Sequence, residues 1–242
     1  MEHTERVTEA IILAGGFGTR LRSVVPDLPK PMAPVANRPF LEHILDELIG
    51  QGIERFILST GYGHTIIHDH FASREQRYRG CPILYSREKT PLGTGGAIRK
   101  ALKEATSDHV LAVNGDTLFR VSLDQLSQCH HRHHAVVTLA LKPMPECQRY
   151  GVVQCNDTGR ITQFLEKGDH SGPGQINGGV YLLEAGALQE QPEQFSFERD
   201  FLERMVEQHP LMGHACDGYF IDMGIPEDYA RAQRELTTEQ SA

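Results

Sequence analysis

Ala10-Ile11-Ile12-Leu13-Ala14-Gly15-Gly16-Phe17-Gly18-Thr19-Arg20-Leu21 runs from an apolar stretch into a glycine-rich loop that ends in an arginine. Lys30, inside Pro29-Lys30-Pro31, follows ten positions after Arg20. The chemistry this order suits is the holding of a polyphosphate such as a nucleoside triphosphate. Glycines let the backbone approach a ligand and adopt positive φ without a Cβ clash. Their amides then converge on oxygens as an anion-binding concavity. Arg20 adds a planar, permanently charged fork and Lys30 a mobile point charge. Two familiar glycine motifs are excluded. The P-loop needs Gly-Lys-Ser/Thr, and Thr19-Arg20 follows Gly18. The dinucleotide fingerprint needs a third glycine, where Leu21 stands. A bare strand-to-helix turn accounts for a glycine pair, but not for the added Thr19-Arg20 and Pro-Lys-Pro.

Carboxylates come next. Asn114-Gly115-Asp116 closes an apolar run, at the strand edge where open α/β sheets bind ligands. Asp116 suits a divalent cation such as Mg²⁺, which takes oxygen ligands and substrate phosphates. Read alone it serves equally as an Asx-type turn. Asp222, in Phe220-Ile221-Asp222-Met223-Gly224, repeats the pattern. Gly93-Thr94-Gly95-Gly96-Ala97 is a second glycine loop, or a helix with a flexible entry. Glu166-Lys167 places a carboxylate beside an ammonium; as an isolated pair it reads as a solvated strand end. Asn177, before Gly178-Gly179, can both donate and accept, as a hydroxyl-rich ligand requires. Arg149-Tyr150-Gly151 suits closing the sugar end of a site, and Tyr150 serves equally as a core edge.

Gly15-Gly16-x-Gly18-Thr19-Arg20-Leu21 with Pro29-Lys30-Pro31, followed by Leu92-Gly93-Thr94-Gly95-Gly96-Ala97-Ile98, resembles the signature of the sugar-1-phosphate nucleotidyltransferases. The likeness runs from about Glu9 to about Leu236. It implies an enzyme that joins a nucleoside triphosphate to a sugar 1-phosphate and releases pyrophosphate. It implies a nucleotide site of Leu13, Ala14, Gly15, Gly16, Gly18, Thr19, Arg20, Lys30, Gly93, Thr94 and Gly95. It implies a sugar-phosphate site of Tyr150, Gly151, Glu166, Lys167, Asn177 and Gly179. Asp116 and Asp222 would hold Mg²⁺. Arg20, Lys30, Asp116 and Lys167 would form the catalytic set, with Arg20 on the leaving pyrophosphate, Lys30 near the α-phosphate and Lys167 on the acceptor phosphate. The donor implied is GTP and the acceptor a heptose 1-phosphate, on the way to a surface polysaccharide. Other triphosphates, and glucose, mannose or N-acetylmuramic acid 1-phosphate, remain alternatives. From a different class, a non-catalytic nucleotide-sugar-binding regulator is the competing reading. A binder has no need of both metal carboxylates.

The elements that must position these residues alternate, as in a sheet with helices on its faces. Strands are expected at Ala10–Leu13, Arg55–Ser59, Ile83–Tyr85, Val110–Val113, Ala135–Leu141, Gly151–Gln154, Ile161–Phe164 and Gly179–Leu183. Helices are expected at Phe40–Ile49, from Gly93 to Ala105, at Ser196–Gln208 and at Pro226–Leu236. The fold class is therefore α/β. The resemblance sharpens it to a three-layer α/β/α, Rossmann-like (GT-A-like) nucleotidyltransferase with a mostly parallel mixed sheet. One domain over 1–242 is expected, nucleotide-binding in its N-terminal half and sugar-phosphate-binding in its C-terminal half, with no appended β-helix.

With 242 residues, 39% of them hydrophobic, the chain is long enough for a substantial core. A net charge of −8 argues against nucleic acid or an anionic membrane as partner. No signal peptide or spanning segment is evident. Five scattered cysteines without a Cys-x-x-Cys read as reduced thiols, which points to the cytoplasm. A homo-oligomer is left open. His130-His131-Arg132-His133-His134 looks like a metal-binding tract but is read as a solvated loop. His64 and His68 share a helix face without supporting ligands.

Overall fold

The computed structural model describes residues 6–16, 18, 21, 24–165 and 168–240. In chain order come β1 (Glu9–Leu13), the short pair β2 (Pro34–Val35) and β3 (Arg38–Pro39), then α1 (Phe40–Gly50) and β4 (Arg55–Thr60). Next are α2 (His64–Ala72), β5 (Arg77–Tyr78), β6 (Cys81–Arg87), α3 (Gly93–Ala101), β7 (His109–Asn114) and β8 (Thr117–Phe119). The rest of the chain adds α4 (Leu123–Arg132), β9 (Val137–Met144), β10 (Val152–Cys155), β11 (Ile161–Leu165) and β12 (Gly174–Glu184). It closes with α5 (Glu203–Met205), β13 (Leu211–Ala215), β14 (Phe220–Asp222) and α6 (Pro226–Gln240).

β1 shows why the strands read as apolar runs rather than alternating ones. Both of its faces are covered, as in parallel sheets generally. Ala10 and Ile12 enter one core with residues of α1, α2, α4 and α6. Ile11 points the other way, into a second core with Ile98 and Ala101 of α3 and with Phe197 and Phe201. Helices therefore lie on both sides of the sheet. β1 is parallel to β4 on one edge and to β7 on the other, and β6 continues in parallel beyond β4. β12 then runs antiparallel to β7, and β9 and β13 extend that side. The result is the mostly parallel mixed sheet expected from the sequence.

β12 is the longest strand and pairs twice over. Its Val180–Glu184 portion lies against β7, while Ile176 lies against Val152 of β10. Along its other edge it pairs with β9, and the register shifts between Asn177 and Tyr181. Gly178 and Gly179 occupy that bulge. A Cβ on Gly178 would run into the Phe119 ring, and Gly179 has φ +72 with Asn114 against it.

Two expectations need correction. Ser196–Gln208 is not one helix. It is a π-helical turn, Phe197–Leu202, that passes into the single α-turn α5. The wider turn keeps both Phe197 and Phe201 fully buried, with their rings stacked 5.5 Å apart. The histidine tract is not a solvated loop either. His130 and His131 belong to α4, and His130 is 1% exposed. Its Nδ1 meets the Thr138 hydroxyl of β9 at 2.9 Å. Among the described residues no helix is long and apolar enough to cross a membrane.

Candidate active site

β1, β4 and β7 all end at the same edge of the sheet, and their following loops interlock there. The Ala14 amide donates to the Ser59 carbonyl, and the Gly115 amide donates to the Leu13 carbonyl. These loops and the start of α3 enclose a cleft of about 710 Å³. A second cavity of about 340 Å³ opens beside it, between β8, β12, β14 and the π-helical turn. Lys30, Asn114 and Asp116 line both, so they stand at the junction.

Pro29 and Pro31 hold Lys30 in a 3-10 turn, Lys30–Met32. Its ammonium donates to Asp116 Oδ2 at 2.8 Å, with the lysine side chain only 13% exposed. Gly18 makes room for that lysine. It has φ +59, and a Cβ there would lie 2.7 Å from Lys30 Cγ. Gly15 does the same for a different neighbour, since its Cβ would lie 2.7 Å from Glu88 Oε1. Of these three glycines, Gly16 alone would meet nothing within 4 Å if it carried a Cβ, so its backbone faces open space. The glycines thus divide their work between packing and approach.

Leu13, Ala14, Gly15, Gly16, Gly18, Lys30, Gly93 and Thr94 all line the larger cleft. Gly95 does not. It packs beneath the Phe195 ring, which a Cβ would strike, and its amide donates to the Phe195 carbonyl. Thr19, Arg20, Glu166 and Lys167 lie outside the described residues. Tyr150, Gly151, Asn177 and Gly179 line the smaller cavity together with Asp222.

Asp116 and Asp222 are far apart in sequence and meet through the strand pair β8–β14. Asp222 stands opposite Thr117, and the Met223 amide donates to the Asp116 carbonyl at 2.9 Å. Both carboxylates face the smaller cavity. Their chemistry fits Mg²⁺, which is held by one or two carboxylates plus waters and substrate phosphates rather than by a full protein cage. The described residues accordingly contain no cluster of three or more His, Cys, Asp or Glu arranged for a metal.

The sequence reading missed several residues of this site. Glu88 lines the larger cleft, and the Leu92 amide donates to its Oε2 at 3.0 Å. Tyr62, Arg87, Lys89 and Pro91 also line it. The π-helical turn and α5 add Glu198, Arg199 and Glu203 to the smaller cavity. Arg149, which the sequence did place beside Tyr150, is held by Asp228 of α6 at 2.7 Å. That pair ties the loop carrying Tyr150 to the C-terminal helix. His64 and His68 pack against the Tyr85 ring, His64 Nδ1 meets the Thr60 hydroxyl at 2.9 Å, and His70 Nε2 meets Glu42 Oε1 at 2.8 Å.

The chain is similar to several known proteins. D-glycero-alpha-D-manno-heptose 1-phosphate guanylyltransferase of Aneurinibacillus thermoaerophilus is 52% identical over 230 residues, covering 94% of this chain and 98% of that protein. The protein of the same name from Campylobacter jejuni is 43% identical, covering 91% and 96%. The crystal structure of HddC from Yersinia pseudotuberculosis complexed with GMP-PN superposes with a TM-score of 0.84 at 32% identity, covering 95% of this chain and all of that one. The nucleotidyl transferase family model matches residues 9–239. With a glycine-walled cleft, a lysine–aspartate pair and a paired carboxylate on one sheet edge, the chain belongs to the nucleotidyl transferase family.

Proposed function

We propose that the protein transfers the guanylyl group of GTP to a heptose 1-phosphate, giving GDP-heptose and pyrophosphate. The observation that carries this reading is the pair of adjoining cavities with Lys30 and Asp116 at their junction. The 52% identical guanylyltransferase supports the choice of substrates. A phosphate oxygen of the acceptor attacks the α-phosphorus of the triphosphate. The new P–O bond forms as the bond to the bridging oxygen of the β-phosphate breaks, and pyrophosphate leaves. The nucleophile is already ionised, so positioning and charge neutralisation suffice.

Lys30, pinned by Gly18 and Asp116, presents its charge where the two cavities meet and acts near the α-phosphate. Arg20, by its place in the motif, is the cation for the departing pyrophosphate. Lys167 and Glu166, likewise by motif, take the phosphate and hydroxyls of the acceptor. Asn177 is held ready for hydroxyls, because its Oδ1 accepts from the Gly179 amide and its Nδ2 donates to Tyr181. Asp116 and Asp222 would hold Mg²⁺, which when bound neutralises phosphate charge and orients the displacement.

The base is read by Glu88. Its carboxylate offers two acceptors on the wall of the larger cleft. The guanine edge with N1–H and N2–H₂ presents two donors side by side. Uracil and thymine present an acceptor, a donor and an acceptor, which a carboxylate repels. The five cysteines are free thiols, consistent with a reducing cytoplasm. The test is pyrophosphate release over four triphosphates and a panel of sugar 1-phosphates. GTP with a heptose 1-phosphate is expected to give the highest kcat/KM. A pyrimidine triphosphate or another sugar in that place would overturn the assignment.

A further inference from the structure

The back of the second glycine loop is not free. Gly93, Gly95 and Gly96 would each clash, if given a Cβ, with the Phe195 carbonyl, the Phe195 ring or the Glu193 carbonyl. Segment 193–196 is seated there and leads directly into the π-helical turn. Thr94 locks the two together. Its hydroxyl donates to Glu198 Oε2 at 2.7 Å and accepts from the Phe197 amide at 2.9 Å. Ser196 Oγ adds a second donor to the same Glu198 oxygen at 3.2 Å. The buried Tyr181 hydroxyl lies near the Glu198 carboxylate, and burial together with that negative charge pushes the phenol well above its ordinary range. On its other side Tyr181 accepts from Asn177 Nδ2 at 2.8 Å. Hydrogen bonds therefore tie Thr94, on the wall of the larger cleft, to Glu198, on the wall of the smaller cavity, and Tyr181 beside it to Asn177 on that same wall.

We propose that Glu198 contacts the hydroxyls of the acceptor sugar and that Thr94 is its positioning residue, so that the donor loop sets the shape of the acceptor pocket. The inference rests on the two-cavity reading above. Glu198 lines the smaller cavity and has only acceptor atoms to offer, which suits the many O–H donors of a sugar. The Thr94 side chain is committed to the π-helical turn, so its effect falls on the acceptor.

The experiment measures KM for each substrate in Thr94→Val, Thr94→Ser and Glu198→Gln, using whichever triphosphate and acceptor the wild-type protein turns over best. A wild-type panel that rejects GTP or heptose 1-phosphate would thus indict the substrate assignment alone. Thr94→Val removes the hydroxyl at nearly constant shape. It is expected to raise the acceptor KM about tenfold or more relative to any change in the triphosphate KM, as loss of a hydrogen bond to a charged group should. Thr94→Ser restores the wild-type ratio. Glu198→Gln, which keeps the side-chain shape, raises the acceptor KM similarly and carries the test if Thr94→Val does not fold. A triphosphate KM that rises as much as the acceptor KM, or no change in either, overturns the proposal.

Discussion

On the proposed reading, a single side chain, Glu88, sets the choice of nucleotide. Its Oε2 is held by the Leu92 amide, which leaves the carboxylate fixed against the cleft. Glu88→Gln exchanges two acceptors for an acceptor and a donor. The kcat/KM for GTP is expected to fall roughly 10–100-fold, and the preference for GTP over ITP, which lacks the N2 amine, to vanish. Competition assays with the two triphosphates read this directly, and an intact preference refutes the role. Asp116→Ala is expected to lose turnover by about three orders of magnitude while keeping its folded circular dichroism spectrum, because it removes a carboxylate proposed to hold Mg²⁺ and frees Lys30 from its anchor. Normal pyrophosphate release from folded Asp116→Ala would remove it from the catalytic set. Lys30 and Asp116 were legible in the sequence because each sits in a short, local motif. Glu88 was not, since Arg87-Glu88-Lys89-Thr90 reads as an ordinary charged turn until the fold brings it beside Gly15.

At the scale of the element, the strands that end at the site were legible, because burial on both faces makes them continuous apolar runs. The π-helical turn was not. Phe197, Phe201 and Met205 repeat every four residues, as in an α-helix, and only their packing under α3 decides the wider turn. The histidine tract misled for a similar reason. Leu123, Leu126 and His130 form one buried face of α4, a spacing that the polar run obscures. Burial, followed by the neighbouring His109 and His131, pushes the His130 imidazole down to about 3. A histidine held neutral in this way contributes its full stability above its ordinary value near 6.5. The contribution is lost progressively as the pH falls from there toward 3. Between pH 7 and 5 the linkage amounts to about 2 kcal/mol. Urea unfolding at both pH values is expected to show a drop in the wild type that is smaller by that amount in His130→Gln. An equal drop in both proteins would sink the argument.

Across the whole molecule, carboxylates stand at both ends of the sheet. At the site edge they line the two cavities. At the opposite edge Glu9, 2% exposed, is paired with Arg55 and accepts from the Thr106 and Ser107 amides at 2.7 Å each. Burial alone would raise this carboxyl, but Arg55 and the amides outweigh it and bring it down to about 2. Its stabilisation is complete above the ordinary 4.5 and is lost as the pH falls toward 2. Glu9→Ala is expected to cost about 3 kcal/mol in urea unfolding at pH 7, by leaving Arg55 without its partner. Both KM values should stay as in the wild type, and a change in either would mean that the two ends are not independent. The mixed α/β plan was legible in the alternation of elements, but the path of β12 was not, because no local signal says which strand it will join. That path has a consequence for dividing the chain. β12 returns from the C-terminal half of the chain to cover the edge of β7, whose Val110–Val113 run is buried. A fragment ending before β9 would carry β1 to β8 yet expose a long apolar edge of unpaired backbone, a template for intermolecular pairing. Any split or permuted version must keep β12 with the strands that precede it.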